Sequence, residues 1–265
     1  MNMRKMAGVA VAVILLAAGG ASATTYTIEH SHSQGVGYAN ISFNSGSSTV
    51  SSYLGRFIME PKPITSLPGI YPIYSISTVD GPEMGFYSYC LEPLQPIGVG
   101  HGVSYPFSIG SLAGSDGISA AEALLIEELF GRYNPLLQND PTGSYTGGTF
   151  RTAAAALQLA IWKINLDRAT ETLGLWDFSS GLMRVGTTAV PLETGASLRA
   201  NAVALLMLNS LTGNGPMASG LEGLRNFTYQ DLIIQAIPEP LTLLAVGSAV
   251  AGIGAYIRKR RLALA

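Results

Sequence analysis

Apolar and polar residues follow different patterns at the ends and in the middle of this chain. Residues 24–90 are rich in Ser, Thr, Gly, Tyr, Val and Ile, and turn sequences divide them into short segments. This pattern is typical of short β-strands. Residues 226–237 return to the same character after a long helical stretch. The predicted strands are residues 38–43, 70–77, 84–91 and 226–237.

The middle of the chain has helical periodicity instead. Ser119 and Glu122 form a capping box ahead of the first helix, and Gly131 is placed to end it. Strands on both sides of a helical segment predict an α+β fold, with a β-rich part of sandwich or barrel type and an inserted helical subdomain. The predicted helices are residues 120–130, 149–165 and 195–209.

The N-terminus has the pattern of a secretory signal peptide. Arg4 and Lys5 precede an apolar run at residues 7–18, and small residues at positions 21–23 form a cleavage site. The apolar run is too short to span a bilayer on its own. We therefore predict that residues 1–23 are removed and that the protein is exported.

The C-terminus carries a second targeting pattern. Pro238, Glu239 and Pro240 precede an apolar stretch at residues 241–257, which is followed by a basic tip. About seventeen helical residues cover roughly 25 Å, the short end of a membrane span, and the positive-inside rule keeps the tip cytoplasmic. The basic tip is Arg258, Lys259, Arg260 and Arg261.

This order of parts resembles the PEP-CTERM sorting signal of Gram-negative bacteria. The resemblance covers residues 238–265 and implies an exosortase-type protease as a processing partner. It also implies export across the inner membrane, transient anchoring through the C-terminal helix, and a final place at the cell surface or in the extracellular matrix.

Between the two ends, residues 24–237 have a suitable length for one large domain or for two small domains in close contact. The net charge of the whole chain is −2. Six of the fifteen basic residues and one of the seventeen acidic residues lie in the terminal segments, so nine basic residues face sixteen acidic ones in the body. An acidic body argues against nucleic-acid binding, which needs a basic surface.

The chain contains a single cysteine, Cys90, whereas exported proteins usually carry cysteines in pairs. Gln158 lies among apolar neighbours on the helix predicted at 149–165, and burying its amide unpaired costs about 1–3 kcal/mol. A cysteine thiolate can attack the side-chain carbonyl of Gln and expel ammonia, which leaves a γ-glutamyl thioester. Such a bond accounts for both residues, and Tyr89 and Trp162 are candidate pocket walls that exclude water.

The segments YSYCLEP and ALQLAIW resemble the two signatures of the thioester domains of bacterial surface adhesins. Those domains carry an aromatic residue followed by Cys on a strand, and later a Gln-x-Ala-Ile-Trp-type motif on a helix. A Thr often precedes the Gln of that family, where this chain has Leu157. The resemblance implies a Cys90–Gln158 thioester that captures an amine or hydroxyl of a partner surface in a single turnover, without a cofactor and without enzymatic catalysis.

Other interpretations of the same residues stay open at this point. Cys90 is also compatible with an inert buried thiol in a passive structural protein of the polysaccharide or biofilm matrix. A slight rotation of the helix would expose Gln158, and Gln95 is a rival acyl donor close in sequence. The spacing from Cys90 to Gln95 is wider than the Cys-x-x-Gln of complement-type thioesters.

Histidines offer two further alternatives. His101 lies in a Gly-rich turn eleven residues after Cys90, so the two residues form a candidate cysteine-hydrolase pair. His101 is also a candidate for assisting the nucleophile that attacks a thioester. His30 and His32 would lie on one face if their segment were a strand, but two histidines without a third ligand are weak evidence for zinc, and we predict no metal.

Overall fold

The computed structural model describes residues 25–43, 48–61, 74–78, 81–94, 104–139, 149–168, 172–226 and 228–235. Both targeting segments, Gln95 and His101 lie outside these residues. The strands are β1 (Thr25–Phe43), β2 (Ser48–Pro61), β3 (Tyr74–Thr78), β4 (Gly81–Cys90), β5 (Ser104–Ser111), β6 (Leu221–Arg225) and β7 (Leu232–Gln235). The helices are α1 (Ala120–Asn139), α2 (Phe150–Asp167) and α3 (Ala200–Asn209).

The seven strands form one antiparallel sheet in the order β2-β1-β5-β6-β7-β4-β3. β2 also pairs with β4, so six strands form a closed ring of pairs, and β3 lies outside the ring on β4. β1 is long enough to pair with β5 at its start and with β2 along most of its length. Two register shifts interrupt its pairing with β2, and shifts of this kind bend a strand. One shift is at Gly37, whose φ of 97° suits glycine.

The α+β prediction is confirmed at this level, since three helices accompany the sheet. All three helices fall between β5 and β6 in the chain. Within the described part of the chain, none of the helices has the length and apolar character needed to cross a bilayer.

Helix α2 is the central helix of the fold. Thr149 caps its N-terminus by accepting a hydrogen bond from the N–H of Thr152, and every residue from Thr152 to Ile164 is buried. The sequence predicts an apolar face, but the helix is buried on all sides because it packs against α1, α3 and three strands. Its bounds agree with the predicted helix to within two residues.

Helix α1 begins as predicted. The N–H of Ser119 donates to Glu122 Oε2 at 2.6 Å, and the N–H of Glu122 donates to Ser119 Oγ at 3.3 Å, which is the capping box. The predicted end at Gly131 is wrong, because the helix continues for eight more residues to Asn139. A Cβ at position 131 would clash with the carbonyl oxygen of Pro216, so glycine is needed there for a close backbone approach.

The replacement Gly131→Ala tests this explanation by the sign of its effect. In an open helical position, alanine would stabilise the helix by about 0.5–1 kcal/mol relative to glycine. Because the new methyl group would clash with the backbone at Pro216, we expect a destabilisation of about 1–3 kcal/mol in urea unfolding. A stabilised Gly131→Ala variant would contradict the packing. Ala121→Gly on the exposed face of the same helix measures the propensity effect alone.

Three other sequence predictions need correction. Helix α3 begins at Ala200 rather than at residue 195, because Gly195 has a left-handed φ of 87°. The strand predicted from residue 226 begins only at Leu232, since Asn226 Oδ1 accepts the N–H groups of Thr228 and Tyr229 in a turn. Strands β2, β5 and β6 were not predicted.

Candidate functional site

Cys90 is the last residue of β4 and is 1% exposed. It lies opposite Leu232 of β7, and the next N–H, of Leu91, donates to the carbonyl of Asp231 at 2.9 Å. Because backbone groups alternate between the two sides of a strand, the N–H and C=O of Cys90 point away from β7. On that side the register of β2 with β4 ends at Phe57 and Ser88, two residues short of Cys90.

Gln158 of α2 occupies this position with its side-chain amide. Its Oε1 accepts from the backbone N–H of Cys90 at 2.9 Å, and its Nε2 donates to the carbonyl of Cys90 at 2.8 Å. The amide therefore pairs with Cys90 as a peptide group of a neighbouring strand would. Two turns further along the helix, Asn165 Nδ2 donates to the carbonyl of Leu91 at 3.0 Å, so α2 is attached to the end of β4 at two successive residues.

The structure thus brings together the two residues that the sequence analysis selected, although they are 68 positions apart. The alternative with an exposed Gln158 is wrong, since this side chain is fully buried. Gln95 and His101 lie outside the described residues, so the rival acyl donor and the cysteine–histidine pair stay predictions.

The environment of Cys90 disfavours the thiolate. Burial raises the pKa of the thiol well above its ordinary value; a hydrogen bond from the Gln230 side chain acts in the opposite direction, and the carboxylate of Glu92 raises the pKa further. The free thiol is therefore protonated at neutral pH, unlike the low-pKa cysteines that react readily in solution. A neutral thioester would carry no such burial penalty.

Gln230 is a site residue that the sequence analysis missed. It is 4% exposed, lies just ahead of β7, and donates from Nε2 to the carbonyl of Glu92. Nothing in the local sequence distinguishes it from any polar residue before a strand. Only the pairing of β4 with β7 brings it to Cys90, across 140 positions of the chain.

Tyr89 and Trp162, the predicted pocket walls, are both 2% exposed. Trp162 follows Gln158 by one helical turn. The side chain of Tyr89 lies on the opposite face of β4 from Cys90, where its ring packs edge-on against Phe130 of α1 at 5.6 Å. Burial raises the pKa of Tyr89 strongly, and its hydroxyl and the Nε1 of Trp162 have no hydrogen-bond partner among the described residues.

The two histidines considered as metal ligands, His30 and His32, lie on β1. A register shift in β1 separates His30 from His32, whose backbone partners on β2 are Met59 and Ile58. Within the described ranges, no group of three or more His, Cys, Asp or Glu residues is arranged to hold a metal.

Comparison with known proteins adds no further constraint. No known protein family, curated protein or solved structure matches this chain.

Proposed function

We propose that this chain is an exported protein of the cell surface or extracellular matrix whose Cys90 and Gln158 form an internal thioester for covalent capture. The observation that carries the proposal is the paired hydrogen bonding of the Gln158 amide to the backbone of Cys90. It holds the side-chain carbonyl carbon of Gln158 beside the residue that bears the thiol. Effective molarities are high for groups held together in this way.

The same contact supports the chemistry of thioester formation. The Cys90 N–H donates to Oε1, the oxygen that becomes negatively charged when sulfur attacks the carbonyl, and thereby stabilises that charge. In the reaction the S–C bond forms, the C–N bond of the amide breaks, and the thiol proton leaves on the nitrogen as ammonia. No other reactant is required, and the burial of both residues limits the access of water that would hydrolyse the product.

A thioester of this kind is an acyl donor for one reaction. An amine or hydroxyl group of a partner surface attacks the Gln158 carbonyl, an amide or ester forms, and the Cys90 thiol is released. The chain is therefore a covalent adhesin in this proposal and not an enzyme. The resemblance of YSYCLEP and ALQLAIW to adhesin thioester domains supports the same conclusion.

The proposal includes the organisation of the whole chain. Residues 1–23 direct export, residues 24–237 form the thioester domain, and residues 238–265 are the sorting signal, which an exosortase-type protease cuts near its Pro-Glu-Pro triplet. Within the domain, a helical subdomain carrying Gln158 is inserted into a sandwich or barrel-like β part. The position of all three helices between β5 and β6 supports that assignment.

A second candidate function is a passive structural protein of the biofilm matrix with an inert Cys90. It is favoured by the same pair of hydrogen bonds, because the Gln158 amide satisfies a backbone N–H and C=O that, among the described residues, pair with no strand on that side. In this function the glutamine extends the hydrogen bonding of β4 and undergoes no reaction.

Intact-mass measurement of the processed, exported protein separates the two functions. We expect the mass to be lower than the sequence requires by one ammonia, because amide nitrogen is lost when the thioester forms. The deficit should disappear in Cys90→Ala and in Gln158→Ala, and should persist in Gln235→Ala, which changes a glutamine of β7. A full mass in the native protein, with a thiol that can be alkylated after unfolding, would instead support the passive function.

A further inference from the structure

Gln230 lies beside Cys90 where β4 meets β7. The register pairs Cys90 with Leu232, and just beyond it the N–H of Leu91 donates to the carbonyl of Asp231. The side-chain amide of Gln230, two residues before Leu232, donates to the carbonyl of Glu92, two residues after Cys90. At 4% exposure the Gln230 side chain is nearly as buried as the cysteine.

The amide nitrogen of Gln230 has two hydrogens to donate. One goes to the carbonyl of Glu92, which fixes the orientation of the side chain. The side chain also hydrogen-bonds to the thiol of Cys90, and this contact lowers the pKa that burial raises. A buried donor is thus held against the sulfur, which becomes negatively charged when the thioester opens.

We infer that Gln230 is the hydrogen-bond donor that stabilises the Cys90 sulfur when the thioester opens, an inference that rests on the proposed function. An amine attacks the carbonyl carbon of Gln158, a C–N bond forms, and the C–S bond breaks with its electron pair on sulfur. The proton lost by the amine then moves to that sulfur. The hydrogen bond from Gln230 strengthens as the sulfur becomes negative, so it lowers the barrier more than it stabilises the closed thioester.

The charged group that acts on the thiol opposes this stabilisation. Glu92 raises the pKa of the thiol and therefore disfavours the thiolate. Other charged groups on the neighbouring elements include Asp231 ahead of β7, Arg56 of β2 beside the Tyr87 ring, and the mutually paired Lys163 and Asp167 of α2.

The test compares the rate of thioester opening by methylamine in the processed protein and in Gln230→Met, followed by the gain in intact mass. Removal of a hydrogen bond to a charged atom is expected to slow opening by about 10-fold or more. Gln235→Met is the matched control, since Gln235 bonds to Asn134 and Ser219 instead of Cys90. Its opening rate should equal that of the unmodified protein.

A second measurement separates the effect of Gln230 on the sulfur from the structural effect of losing its hydrogen bond to the carbonyl of Glu92. After opening, the released thiol is alkylated with iodoacetamide over a range of pH. Burial already raises the pKa of this thiol, and loss of the Gln230 donor raises it further, so the midpoint of the alkylation profile should move to higher pH in Gln230→Met. If Gln230→Met does not fold, Gln230→Glu keeps the length and should move the midpoint in the same direction.

The outcomes are distinguishable. Slower opening together with a higher midpoint in Gln230→Met supports the inference. Unchanged opening and an unchanged midpoint, with the ammonia deficit intact, would overturn the inference alone. A deficit that survives Gln158→Ala but is lost in Gln230→Met would make Gln230 the acyl donor and overturn it too. A native protein of full mass would overturn both this inference and the proposed function.

Discussion

The replacement Lys163→Met is expected to lower the free energy of unfolding by about 3–5 kcal/mol, measured by urea denaturation. Lys163 and Asp167 form an ion pair on α2 with Nζ and Oδ2 2.7 Å apart, and neither side chain is exposed. Methionine removes the positive charge and leaves the buried Asp167 carboxylate without the Lys163 ammonium that neutralises it. An uncompensated buried charge is among the costliest defects in a folded protein.

The ion pair also fixes the segment that follows α2. Lys163 Nζ donates to the carbonyls of Ser180 and Met183 at 3.0 and 3.2 Å, and Asp167 accepts the N–H groups of Leu182 and Met183. An apolar replacement of both charges would leave these backbone groups unpaired. We therefore expect Lys163→Met with Asp167→Leu to remain destabilised, although apolar replacement of a buried ion pair is often neutral.

The measurement is best made in a Cys90→Ala background, so that no thioester contributes to stability. Arg151→Gln is the control, because Arg151 of the same helix is mostly exposed and lies 3.9 Å from Glu193. Arg151→Gln should change the free energy of unfolding by no more than about 0.5 kcal/mol. If Lys163→Met changed it as little as this control does, the buried ion pair would not be what holds this segment.

Opening the thioester with methylamine is expected to lower the free energy of unfolding by about 2–4 kcal/mol. A thioester would cross-link Cys90 of β4 to Gln158 of α2, across 68 positions of the chain. Cross-links that close long loops stabilise proteins mainly by restricting the unfolded chain, and cleavage removes that restriction. The N-methylated amide left on Gln158 still has an N–H and a carbonyl for the backbone of Cys90, so the folded state keeps most of its contacts.

The comparison requires urea unfolding of the same protein before and after methylamine, with intact mass as the record of opening. Gln158→Ala, which cannot form the thioester, should have the same stability with and without the amine. Equal stability of the closed and opened forms of the native protein would contradict the cross-link. A protein that methylamine leaves unchanged in both mass and stability would match the passive structural function.

Local signals in the sequence were sufficient for much of the fold. The capping box at Ser119 and Glu122 was predicted correctly, because a cap depends on residues within one helical turn. Gly131 was misinterpreted because a helix-ending glycine and a glycine needed for close packing are identical in sequence. The difference lies in Pro216, whose backbone approaches from another part of the chain.

For the candidate site, too, local sequence signals identified some residues and the tertiary structure determined the rest. The sequence by itself selected Cys90 and Gln158, because an unpaired cysteine and an amide among apolar helical residues are unusual wherever the chain places them. Tertiary structure decided that Gln158 bonds to the backbone of Cys90 and that Gln230 lies at the sulfur. These contacts depend on the register of β4 with β7 and on the packing of α2, and long-range pairings of this kind leave no local pattern in the sequence.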